Sequence, residues 1–333
     1  MIKRTLYFGN PAYLGMKNAQ LEVRLPQVEK NDTLPAPFKE SLVSSIPIED
    51  IGMVVIDHSQ VTLTQGLIST LLENNAAIIT CDNTHHPTGL LLPLDGNIVQ
   101  NERFRHQLDA SEPLKKQLWA QTIIQKIKNQ AALLDLIIPL HEGDKGGGGK
   151  TLRRIASQVK SGDSNNCEAT AAAFFWQKIF STIQLPSLTG EEQSERLNFV
   201  RYREGPPPNN YLNYGYAVLR AIMARSIVAA GLLPTLGIHH ANRYNAYCLA
   251  DDLMEPYRPF VDKIVHDLVA EHGIKTDIPK EIKTALLKIP VIDVSINDET
   301  SPLMIATQRT AVSLVKCFNG EQKKLLYPNL SSS

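Results

Sequence analysis

Long apolar runs are missing from this sequence. No window approaches the ~18 uninterrupted apolar residues that a membrane-spanning helix requires, and the opening MIKRTLYFGN lacks the apolar stretch of a secretory signal. Both absences predict a soluble, cytoplasmic protein with no membrane partner. Cysteine is scarce as well. Four residues, Cys81, Cys167, Cys248 and Cys317, are scattered without a CxxC pair, which excludes a zinc ribbon and a disulfide framework. Charge of one sign is also lacking: 34 Lys+Arg balance 34 Asp+Glu for a formal net charge of zero. A globally basic nucleic-acid binder is thereby excluded, and any attraction for a polyanion has to come from local clusters.

What is present is enough apolar material, 43% of 333 residues, for two domains of ordinary size. Thr5–Phe8 and Gln20–Leu25 alternate as strands do, with Gly9-Asn10-Pro11 between them. Asp50–Asp57 holds IGMVVID, an apolar run suited to a buried strand. Thr64–Asn74 has helical spacing through Leu67, Leu71 and Leu72. Ala76–Cys81 returns to strand, and HHPTGLLLPLDGN reads as a last hairpin and a linker. Beyond residue 98 the texture is helical, at 99–138, 150–160, 166–182, 209–231, 246–272 and 299–318. The fold class expected is α+β: a small β-rich domain over 1–97, then a larger all-helical domain over 98–333. The end of the chain, NLSSS, is expected to fray.

Four stretches could carry chemistry. GGGGKT at 146–151 falls short of a phosphate-binding loop, which needs Gly, four residues, then Gly-Lys-Ser/Thr. The position required to be the first glycine is Asp144, so a flexible linker is expected there. His85 and His86 beside Asp82 form a possible metal pair, but neighbouring residues on a strand face opposite ways. A polar loop is the simpler reading. Asp251, Asp252 and Glu255 lie three and four apart and so share a helix face. They read either as ligands for a hard cation or as a solvated acidic face paired with Arg258 and Lys263. Glu168 falls just after Asp163 and Ser164, which are suited to cap a helix. By itself it reads as a carboxylate favouring a helix N-terminus.

These pieces occur in one order: GDSNNCEATAA, then NNYLNYGYAVLRAIMARSIVAAGLLPTLGIHH, then LADDLMEPYRPFVD. Together they resemble the helical domain of the CRISPR adaptation integrase family, the first and universal CRISPR-associated protein, and most of all its type II system members. RTLYFGNPAYLGMKNAQLEV and IPIEDIGMVVID resemble the family's N-terminal β-domain. The resemblance implies a prokaryotic, metal-dependent DNA integrase and endonuclease. Its metal, Mg²⁺ or Mn²⁺, would be held by Glu168, His240 and Glu255. His240 is chosen because the family's histidine closes Gly237-Ile238-His239-His240; His239 and Asp252 are held in reserve as ligands or supports. Many members carry Asp where this chain has Glu255. The implied partners are double-stranded DNA, a second copy of the chain through the N-terminal domain, the small second CRISPR-associated protein, and the type II effector nuclease.

The implied reaction is attack of a DNA 3′-hydroxyl on a phosphodiester of the repeat array, with water in its place giving hydrolysis. A metal-binding histidine must be neutral, so activity is expected to fall in acid. Local DNA contacts are expected from Lys115, Lys116, Lys126 and Lys128, from Lys150, Arg153 and Arg154, and from Arg201, Arg203 and Arg258. Tyr211, Asn213 and Tyr214 are expected to pack around the site. The alternative is a DNA-binding architectural dimer with no catalysis.

Overall fold

The computed structural model describes residues 3–138, 148–185, 195–196, 199–202 and 204–330. Arg203, Asp144, Gly146 and Gly147 lie outside the described residues. The chain divides into two compact units, Met1–Ile98 and Val99–Ser333. No helix among the described residues is long and apolar enough to cross a membrane.

The first unit runs β1 (Arg4–Phe8), β2 (Ala12–Lys17), β3 (Gln20–Arg24), α1 (Pro26–Glu29), α2 (Ala36–Ser41) and β4 (Ser44–Pro47). It continues through β5 (Ile51–Ile56), β6 (Val61–Leu63), α3 (Gln65–Glu73), β7 (Ala77–Cys81) and β8 (Pro87–Leu91). β5 lies between β1 and β7, parallel to both. As a central strand it is buried along nearly its whole length, which matches an apolar run without alternation. β8 pairs antiparallel along β7, and a second sheet has the order β4-β3-β2-β6. Leu14 and Leu21 of the second sheet, Ile51, Val54 and Ile78 of the first, and Leu67 and Leu71 of α3 form one buried core. Each such side chain contributes roughly 1.5–3 kcal/mol. Thr64 caps α3 by accepting from the Leu67 amide at 3.4 Å. The β2–β3 hairpin, which the alternation did not reveal on its first arm, turns at Asn18 and Ala19, both left-handed (φ 51° and 57°), as tight hairpins favour.

His85 also lies at a left-handed turn (φ 63°). Its Nδ1 is 2.8 Å from Asp57 Oδ1, and Tyr7 Oη donates to Asp57 Oδ2 at 2.5 Å. The Asp57 carboxylate therefore ties the ends of β1 and β5 to the β7–β8 turn. Asp82 instead accepts from Thr84 and from the His86 amide.

The second unit contains α4 (Gln100–Asp109), α5 (Glu112–Ile137), α6 (Lys150–Ala156), α7 (Cys167–Lys178), β9 (Gln184–Leu185), β10 (Glu195–Arg196) and α8 (Asn209–Ala229). It ends with α9 (Cys248–Met254), α10 (Arg258–His272), α11 (Lys280–Leu286), β11 (Asp293–Ile296), β12 (Glu299–Pro302) and α12 (Leu303–Phe318). The region is thus not all-helical. β11 and β12 form a hairpin turned at Asn297 and Asp298, φ 53° and 60°, and β9 pairs with β10. The helix expected from residue 299 begins at Leu303 because Pro302 cannot continue a helix backward through its missing N–H. The stretch 99–138 is two helices. Ser111 caps the second by accepting from the Leu114 amide at 3.4 Å, with Pro113 in its first turn.

α5 is the spine of this unit, with α6, α7 and α10 packed on it. Gly148 and Gly149 press on its backbone: a Cβ at Gly149 would meet the Ala131 carbonyl oxygen at 2.2 Å. The Gly149 amide donates to Asp135 at 2.8 Å, so these two glycines serve a close helix contact. The end of the chain is held as well. Asn129 Nδ2 of α5 donates to the carbonyls of Pro256 (2.7 Å) and Pro328 (3.0 Å), and its Oδ1 accepts from the Leu330 amide at 3.1 Å. Asn329 and Leu330 are therefore not frayed; 331–333 lie outside the described residues.

Candidate metal centre

Three separate segments bring the acids and the histidine together. The turn before α7 is tight, with Asp163 and Asn166 both left-handed (φ 50° and 54°). Asp163 accepts from the amides of Cys167 and Glu168, each at 2.9 Å, which fixes the first turn and so Glu168. His239 and His240 come from the non-helical segment before α9. Their amides are tied to Asp252, His239 N at 2.9 Å and His240 N at 3.3 Å. His240 Nδ1 is also hydrogen-bonded to Asp252 Oδ1, leaving Nε2 as its outward nitrogen. Gly237 makes this packing possible, since a Cβ there would meet the His240 carbonyl oxygen at 2.3 Å and Asp252 Oδ2 at 2.6 Å. Glu255 opens the Glu255–Tyr257 3₁₀ turn, where Pro256 separates α9 from α10.

Lys126 of α5 lies between the two glutamates. Its Nζ is 2.6 Å from Glu168 Oε1 and 2.6 Å from Glu255 Oε2. Arg258 Nη2 holds the other oxygen, Glu255 Oε1, at 3.0 Å. Burial alone would push the Glu255 carboxyl up, but Arg258 and Lys126 outweigh it and hold it below its ordinary value. Burial likewise opposes the Lys126 charge, and Glu255 and Glu168 reverse that effect. The His240 imidazole is raised, first by its hydrogen bond to Asp252 and against burial, with Glu255 and Glu168 adding to the effect. All three expected ligands therefore sit within one another's electrostatic reach. Among the described residues, no three His, Cys, Asp or Glu side chains converge as a ready metal cage; the ammonium of Lys126 occupies the place between the carboxylates.

The acidic trio divides three ways. Asp251 takes a two-point pair with Arg220 (2.6 and 3.0 Å) and a hydrogen bond from Asn245. Asp252 serves the histidine segment, and Glu255 serves Lys126 and Arg258. Lys263 pairs with Asp267, not with this trio. His239 stacks on Trp119 of α5 at 4.2 Å, with His240 edge-on to the same ring at 5.4 Å. Lys126, expected among the local DNA contacts, is instead buried and ion-paired. Trp119, Lys126 and Asn129 share one face of α5, and all three touch the site or its turn.

The remaining basic residues differ in setting. Arg201 donates to Asn209 and Asn213 and lies 5.5 Å from the Tyr216 ring centroid; burial pushes its guanidinium down. Arg258 lies over the same ring at 4.9 Å. Arg153 pairs with Asp135, and Lys150 and Arg154 are exposed on α6. Tyr211 and Tyr214 are buried in α8. Tyr216 Oη donates to Asp262, which burial pushes up to about 7. An acid whose folded pKa is raised stabilises the fold below its unfolded pKa and loses that contribution as pH rises through the folded value. Asp262→Asn should therefore flatten the decline in stability between about pH 4 and 7, by an amount on the order of 2–4 kcal/mol. Melting temperatures of both proteins across that range check this; parallel curves would mean that Asp262 is ionised throughout.

The architecture belongs to a class of known structures. It matches a casposase solved bound to its integration product, with TM-score 0.70, 20% identity, and 98% of this chain and 92% of that one covered. It also matches a Cas6-RT-Cas1–Cas2 complex, with TM-score 0.68, 20% identity, and 97% of this chain and 35% of that one covered. These likenesses concern the fold. The sequence is more specific: the family model described as CRISPR associated protein Cas1 matches residues 7–289, and the chain belongs to that family. A CRISPR-associated endonuclease Cas1 of Neisseria meningitidis serogroup C (strain 8013) is 36% identical over 284 residues, 84% of this chain and 86% of that protein.

Proposed function

We propose that this chain is a metal-dependent DNA integrase and endonuclease that inserts short DNA segments into a CRISPR repeat array. The observation that carries the reading is that Glu168 and Glu255, from distant segments, already share one cation, with His240 within electrostatic reach of both. Two carboxylates and one imidazole make a donor set suited to Mg²⁺ or Mn²⁺. Glu168, Glu255 and His240 Nε2 would hold the ion, while Asp252 fixes the imidazole through Nδ1, as supporting carboxylates do at metal sites. When bound, the ion would polarise the scissile phosphate and stabilise the charge developing on it.

The attacking group is the 3′-hydroxyl of the incoming DNA end. Its oxygen forms a bond to phosphorus as the repeat strand's P–O3′ bond breaks, and the proton lost by one hydroxyl is regained by the other through solvent. One ester replaces another, so no nucleotide is consumed, in keeping with Asp144 where a phosphate loop needs glycine. Water in place of the hydroxyl gives hydrolysis. Arg258 and Lys126 keep the Glu255 carboxylate ionised, and Lys126 also holds Glu168 in place. Lys150, Arg153 and Arg154 on α6, with Arg201 and Arg203, supply the local positive charge for the backbone of double-stranded DNA. Residues 1–97 form the dimerising part and 98–333 the catalytic part. A small second CRISPR-associated protein completes the assembly, a reading supported by the likeness to the Cas6-RT-Cas1–Cas2 complex, and the type II effector nuclease is a further partner. A prokaryotic cytoplasm is the expected setting.

The test is strand transfer of a short duplex with free 3′-hydroxyls into supercoiled plasmid, with Mg²⁺ or Mn²⁺, with and without the small partner. Product should disappear with EDTA, with blocked 3′ ends and with His240→Ala. Full activity in His240→Ala would remove this ligand and turn attention to His239. An inert wild type that still binds DNA would favour an architectural dimer.

A further inference from the structure

We infer that Lys126 is a built-in counter-cation: its ammonium holds Glu168 and Glu255 together when no metal is present, and it competes with the divalent ion for the same two carboxylates. The inference rests on the assignment of those glutamates as metal ligands.

The geometry is specific. The ammonium bridges Glu168 Oε1 and Glu255 Oε2 at 2.6 Å each. Both of its partners are carboxylates of the proposed centre. The lysine has a side-chain exposure of 9%, and Glu255 of 5%. Glu255 Oε2 is buried, and the Lys126 ammonium at 2.6 Å is the cation that balances its charge. The other oxygen, Oε1, keeps Arg258 and can stay anchored during the exchange.

Two carboxylates brought together in a buried setting repel unless a cation lies between them. A centre with no resident cation would spread open or take up protons in the absence of metal. Lys126 prevents both. The same feature has a thermodynamic consequence. Binding of a divalent ion must displace the ammonium or tolerate it nearby, and two like charges a few ångströms apart in protein surroundings oppose each other by more than the equivalent of a tenfold change in affinity. The lysine can swing partly away, so the net effect falls toward the lower end.

The experiment is Mn²⁺ binding to the full-length protein by electron paramagnetic resonance or calorimetry, with melting temperatures measured in EDTA and in saturating Mn²⁺. Lys126→Met, similar in length and uncharged, should bind Mn²⁺ roughly tenfold or more tightly than wild type. It should also melt lower in EDTA and gain more from Mn²⁺ than wild type gains. Lys126→Gln, whose amide can still donate to the carboxylates, should show the same tightening and is the variant to use if the methionine form does not fold. Lys126→Arg should stay near wild-type affinity. Tighter binding is the informative sign, because simple damage to the site would weaken it. Equal or weaker Mn²⁺ binding in both uncharged variants would overturn the inference while leaving the metal centre in place. If neither wild type nor these variants binds Mn²⁺, the metal assignment itself fails.

Discussion

Glu255→Ala should lower the melting temperature by on the order of 10 °C and leave strand transfer at background. Glu255 is buried and is the shared anion of Lys126 and Arg258. Its removal takes the shared anion from the buried Lys126 and the half-buried Arg258, and leaves Lys126 with Glu168 as its remaining carboxylate. Breaking a buried pair from one side costs about 3–5 kcal/mol, and in a unit of this size each kcal/mol shifts the midpoint by about 2–4 °C. The chemical loss is separate: one of three proposed ligands is gone, and nothing else in the turn replaces it. Glu255→Asp provides the contrast, since it restores the charge on a shorter arm and should recover much of the stability. Thermal unfolding and plasmid strand transfer on the three proteins decide the matter. A Glu255→Ala protein that melts with wild type would show that the two cations do not depend on this carboxylate.

Asp252→Ala is the second large effect. Asp252 is fully buried and serves His240 Nδ1 and the amides of His239 and His240. Without it, three donors lose their acceptor at about 1–3 kcal/mol for each one left buried, and the imidazole loses the contact that fixes its tautomer. Loss of such a support typically weakens metal binding 10–100-fold. The expected result is weaker Mn²⁺ binding by about that factor, with a lower melting temperature. Asp252→Asn should fall between, because its amide group presents donors where the histidine segment also presents donors. Unaltered Mn²⁺ affinity in Asp252→Ala would mean that His240 is oriented by something other than this carboxylate.

The parts of the fold legible in the sequence are those where burial imposes a simple period. β5 is readable because burial along nearly its whole length demands an unbroken apolar run, and α3 because Leu67, Leu71 and Leu72 repeat at helical spacing. The hairpin β11–β12 escapes such reading. Its turn uses Asn297 and Asp298 in a left-handed conformation, and its second strand runs directly into α12, so helical spacing seems to begin early. The site is legible only as an ordered set of motifs. Glu168 alone reads as a helix-start acid, and the trio at 251–255 alone reads as a solvated face. What spacing cannot supply is the partner across space, and Lys126 is the clearest case. Among Lys115, Lys116 and Lys128 it looks like one more solvated charge. Yet it follows Ile123 by three positions and directly precedes Ile127, both fully buried, so it lies within the apolar stripe of α5. A lysine on that stripe needs an anion, and which anion depends on segments far away in sequence.

The stacking of Trp119 against His239, with His240 at its edge, has an optical consequence. The chain contains two tryptophans. Trp176 lies in a separate aromatic group, 5.1 Å from Phe175 and 5.5 Å from Phe199. Trp119 alone has its indole in contact with the histidine segment. Imidazolium quenches indole emission far more strongly than neutral imidazole does, and a change in stacking alters it again. The protein thus contains a native fluorophore beside the histidine segment, so changes at the two histidines can be followed in real time without a label.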